Sequence, residues 1–146
     1  MMNHTFIVEP GEWAAAGMMQ DESGAETPMR GVARITHARD AWQNESFMEP
    51  VSGAGPRISN AYAIEPPAEP GAPARWTSHN PSLGTLRGRF VFVGDTIVSV
   101  FDSETGSLSG TELLKQVDAD KYVNVGVLLK NGIKISSWAF ELIRKP

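Results

Sequence analysis

Glu112 is the side chain best placed to do chemistry. It follows Gly110-Thr111 and alternates with Leu108 and Leu114. If that face points inward, a carboxyl group sits among apolar neighbours, and burial favours its neutral form. Such a group can bind a polar ligand atom or act as an acid or base. If the face points outward, Glu112 is an ordinary solvated glutamate. Reversing the orientation of its own strand would likewise promote Glu45 over Asn44.

Face parity groups further residues with Glu112. Trp42, Asn44, Tyr62, Ser99, Tyr122, Asn124 and Trp138 fall on alternating positions of separate segments. Mostly apolar walls with a few convergent polar groups are what a small-ligand pocket needs. The same residues could instead fill a core, with Asn44, Asn124 and Tyr122 bonded to one another or to backbone.

Other chemistry finds little support. His4, His37 and His79 lack metal-ligand spacing and read as surface or turn residues. There is no Gly-x-Ser-x-Gly elbow, and Gly53-Ala54-Gly55 lacks the length and lysine of a phosphate loop. With no cysteine, disulfides, thiolate nucleophiles and Cys-based metal sites are excluded. No residue pattern specifies a cofactor.

The elements that must position Glu112 are short β-type runs. Alternation is clearest over residues 87–93, 96–102, 108–116, 122–129 and 133–143. Turn signals separate them at Gly94-Asp95, Glu104-Thr105-Gly106, Asp118-Ala119-Asp120 and Asn131-Gly132. Residues 30–37, 41–48, 57–64 and 75–78 read as earlier strands, and residues 5–8 as a short β-branched start. Residues 12–20 have helix-favouring alanines, but the β-rich context favours a bent strand. Residues 66–73, with four prolines, form a loop. Neighbouring antiparallel strands in up-and-down order satisfy this pattern, so an all-β meander closed into a barrel of about 8–10 strands is expected.

The chain has 146 residues, enough for one barrel domain spanning 1–146. Its net charge of −4 and scattered basic residues argue against nucleic-acid or anionic-membrane binding. No signal-like start and no apolar run near the ~20 residues of a membrane span are visible. A cytoplasmic location is the expectation.

Gly11-Glu12-Trp13 and Arg144 give the meander a further meaning. The pattern resembles the lipocalin and calycin barrels. In that group a Gly-x-Trp motif lies on the first strand, and a basic residue near the chain's end stacks on the tryptophan to close the barrel. The resemblance implies that Gly11, Trp13 and Arg144 are structural. The absence of cysteines and of a late helix makes the chain more similar to intracellular fatty-acid-binding or nitrobindin-like barrels. No haem-ligand motif transfers to a particular histidine. The expected function is binding of a small, largely apolar ligand with a polar group. The alternatives are a barrel isomerase or hydrolase using Glu112, or an interaction module or homodimer using the barrel's exterior.

Overall fold

The computed structural model describes residues 3–146. Ten antiparallel strands follow one another: β1 (Gly11–Asp21), β2 (Glu26–His37), β3 (Trp42–Pro50), β4 (Ile58–Ile64), β5 (Ala74–Asn80), β6 (Gly84–Val93), β7 (Thr96–Ser103), β8 (Leu108–Asp118), β9 (Lys121–Lys130) and β10 (Ile133–Arg144). Each pairs with the next, and β1 also pairs with β10, so the sheet closes into a barrel. Closure leaves no free sheet edge. The turns supply the required conformations. Asn131 and Gly132 both have positive φ (51° and 82°), the geometry of a type I′ hairpin.

Residues 12–20 do not form a helix. They lie within β1, held by β2 on one side and β10 on the other. Two ladders of hydrogen bonds outweigh the helical preference of Ala14, Ala15 and Ala16.

Residues 5–8 depart from expectation. They form a turn, not a strand, with the Glu9 amide donating to the Thr5 carbonyl at 3.1 Å. Burial explains the change. Phe6 meets Trp13 edge-on at 5.4 Å and lies 5.8 Å from Tyr122. The turn covers one end of the barrel, where Trp13, Ile35, Ile64, Ile97, Leu114 and Tyr122 form a dry floor. Ile7 adopts φ 61°, a costly conformation for a β-branched residue, and is fully buried. The His37 Nε2–H holds its carbonyl at 2.8 Å.

The floor also contains the closure pair. Trp13 and Arg144 are cross-strand partners, and the guanidinium carbon lies 5.7 Å from the indole centroid. Arg144 also donates to Glu9 at 3.0 Å and to the Pro10 carbonyl at 3.2 Å. Gly11 leaves room for this side chain, since a Cβ there would approach the Arg144 Nε to 3.3 Å. A cation over an indole contributes roughly 0.5–2 kcal/mol.

Candidate functional site

The barrel wall is built to lay tryptophans flat. Gly126 on β9 is the register partner of both Glu112 on β8 and Trp138 on β10. A Cβ at Gly126 would collide with the Trp138 ring. The missing side chain lets that indole cross β9, and its Nε1–H donates to Glu112 Oε2 at 2.9 Å. The same device recurs on β5 to β7. Trp76 crosses Gly88, where a Cβ would come within 2.7 Å of the ring, and its Nε1–H donates to Ser99 Oγ at 3.2 Å. Both rings lie along the inner side of the wall.

Glu112 is on the inward face of β8, with Ser99 on β7 and the Trp138 indole beside it. Protein surrounds it, yet part of its surface remains accessible. Burial pushes the carboxyl up to about 7, while hydrogen bonding from Trp138 and from the Asn124 amide moderates the rise. The Asn124 amide also donates to the Leu113 carbonyl at 3.1 Å. Across the lumen, burial and then the Glu112 charge raise the Tyr62 phenol above its ordinary value. Tyr62 meets Trp76 edge-on at 4.9 Å.

The other expected residues divide into two groups. Ser99 is a register partner of Glu112, and Asn44 of Tyr62. Ser99, Asn124 and Trp138 thus gather around Glu112, while Asn44 and Tyr62 occupy the β3–β4 wall. Asn44 Oδ1 is buried and has no hydrogen-bond partner, as is Ser78 Oγ beside Tyr62 on β5. Trp42 lies farther away, stacked on His37 at 4.2 Å with the rings 4° from parallel.

Tyr122 is part of the floor. Its side chain is fully buried, and its hydroxyl accepts from the Thr5 and Phe6 amides at 3.0 and 3.3 Å. The same oxygen lies 2.9 Å from His4 Nδ1, and His4 Nε2 donates to the Gly94 carbonyl at 2.9 Å. Tyr122 has no free hydroxyl for a ligand. His4 and His37 are likewise not idle surface residues, because both tie the N-terminal turn to the barrel. His79 remains exposed and bonds to Thr85.

Trp76, Ser78, Gly88 and Gly126 were not among the expected site residues. A glycine inside a strand signals close approach of another group, but the crossing ring becomes identifiable only once the register is known.

A separate cavity of about 460 Å³ lies beside the N-terminal turn, with His4, Val8, Trp42, Pro67 and Phe92 in its lining. Glu112 and Tyr62 are not in that lining. Among the described residues, no cluster of three or more His, Asp or Glu side chains could hold a metal. No helix among them is long and apolar enough to cross a membrane.

The fold is calycin-like. Rv2717c from M. tuberculosis superposes with a TM-score of 0.69 over 94% of this chain and 92% of its own, at 16% identity. The S-type phycobiliprotein lyase CpeS from Guillardia theta superposes with a TM-score of 0.67 over 94% and 88%, at 8% identity. At these identities the likeness is one of fold. No family model and no curated protein matches the chain.

Proposed function

We propose that this chain is a single barrel domain that binds a small, largely apolar molecule, with the ligand's polar group lying beside Glu112. The observation that carries this reading is the Glu112 carboxyl itself. It points inward, accepts a hydrogen bond from Trp138, and is pushed up to about 7 by burial. Trp76, Tyr62 and Trp138 supply flat apolar walls, and Ser99 and Asn124 brace them. Asn44 and Trp42 extend the lining towards the N-terminal end. Tyr122 takes a structural role instead, because its hydroxyl is already occupied.

Likeness to a barrel named as a phycobiliprotein lyase supports a small-ligand reading through the fold alone. The absence of cysteine fits a cytoplasmic barrel of the fatty-acid-binding or nitrobindin-like kind.

Tryptophan fluorescence tests the proposal, because Trp76 and Trp138 lie on the inner wall beside Ser99 and Glu112. The titration uses a panel of fatty acids, porphyrins, linear tetrapyrroles and aromatic compounds. At least one class should quench emission saturably, and Glu112→Gln should weaken that binding about tenfold. Absence of saturable quenching across the panel would reject the proposal.

The near-neutral carboxyl also favours a second reading, an acid–base isomerase or hydrolase on the same barrel. Glu112→Gln separates the two. Retained affinity with lost turnover supports an enzyme, whereas loss of affinity without any turnover supports a binding protein.

A further inference from the structure

A closed barrel has no edge to offer another chain, so association must use its outer face. That face is divided. Across β6, β7, β8, β9, β10 and β1, the residues Val91, Val98, Leu113, Val125, Ala139 and Met18 are successive cross-strand partners. They form one continuous apolar row on the exterior. Leu113, Val125 and Met18 are each about two-fifths exposed, at 40%, 42% and 42%. Exposed Val117, Val123 and Ile143 widen the row towards the N-terminal end. The exterior of β2 to β4 and its margins is different: Arg30, Arg34, Glu49 and Arg57 hold ion pairs there. A contiguous apolar patch bounded by a charged surface marks an interaction site.

We propose that this wall is the contact face of a homodimer whose two-fold axis runs along β9. The pattern on either side of β9 is what carries the choice of a second copy. In such a self-matching interface, each residue meets the partner residue reflected across the axis. Val123 and Val125 then meet their own counterparts. Leu113 on β8 meets the partner's Ala139. Lys115 on β8 meets the partner's Glu141, because both are cross-strand partners of Val123. Apolar residues meet apolar ones, and Lys115 and Glu141 meet with opposite sign. Lys121 lies close to the axis, and Glu141 of its own chain neutralises it at 3.4 Å.

A lipid surface fits this wall less well. Interfacial binding favours outward Trp and Tyr with clustered basic residues. Here Trp13, Trp76 and Tyr122 are buried, and Trp138 and Tyr62 line the lumen. Lys121 is paired with Glu141, and among the described residues no basic cluster lies on this wall.

Sedimentation across a dilution series tests the dimer. The full chain should show a reversible monomer–dimer equilibrium. Val125→Lys should weaken it at least about tenfold, since it sets like charges against each other in an apolar contact. Its melting temperature and tryptophan emission should stay close to the parent's. Lys115→Glu and Glu141→Lys should each weaken the dimer, and the double variant should restore it. That rescue is a result a merely structural role for these residues would not produce. A monomer at every concentration, a dimer indifferent to Val125→Lys, or failure of the charge swap to rescue would overturn the proposal. So would a monomeric chain that co-sediments with phosphatidylcholine vesicles through this wall.

Discussion

Glu112 links stability to pH. Its carboxyl rises from an ordinary value of 4.5 to about 7 in the folded chain. Between these values the folded state binds more protons than the unfolded state, so stability falls as pH rises. The stabilisation is complete below 4.5 and lost by the time pH passes about 7. Glu112→Gln should therefore flatten the unfolding free energy across this window and make the variant relatively more stable above it, as urea denaturation at a series of pH values would read. Trp138→Phe acts in the other direction on the same group. It removes a donor that favours the charged carboxylate, so the Glu112 midpoint should climb by about one unit. Carboxyl chemical shifts would report that change. The inward face of Glu112 was one of the two orientations that its alternation with Leu108 and Leu114 allowed. The partner of Glu112 was not legible, because Trp138 reaches it across a strand and no local spacing encodes that approach.

Strands and turns were more readable than the contacts between them. Alternation marked β6 to β10, and Asn131-Gly132 marked their last hairpin, because these signals are local. Register is not local, so the glycine crossings at Gly88 and Gly126 stayed hidden. The crossing at β9 makes a sharp prediction. Gly126→Ala should push Trp138 off its seat, costing about 1–3 kcal/mol of overpacking. A lower urea midpoint together with altered tryptophan emission would show it. The N-terminal segment has β-branched residues yet forms a turn, because those residues face a floor assembled from distant strands. Tyr122→Phe tests that floor. It strands the Thr5 and Phe6 amides, at a cost of about 1–3 kcal/mol for a lost buried partner. Amide exchange at Thr5 and Phe6 should accelerate more than exchange along β9.

The whole molecule combines a closed wall, a sealed floor and a lined interior. Closure was readable from the up-and-down order of strands and from Gly11, Trp13 and Arg144 at the two ends. The shared inward orientation of Ser99, Glu112, Asn124 and Trp138 became definite only when ten strands were set in register. The proposed ligand, an amphipathic molecule, would lie between these flat rings and the near-neutral carboxyl. That account depends on Glu112 facing a protected lumen. Its most direct measurement is a ¹³C NMR titration of the Glu112 carboxyl, assigned with Glu112→Gln. A midpoint near 7 is the expected result. A midpoint at the ordinary glutamate value would place the carboxyl in bulk-like solvent and contradict the account.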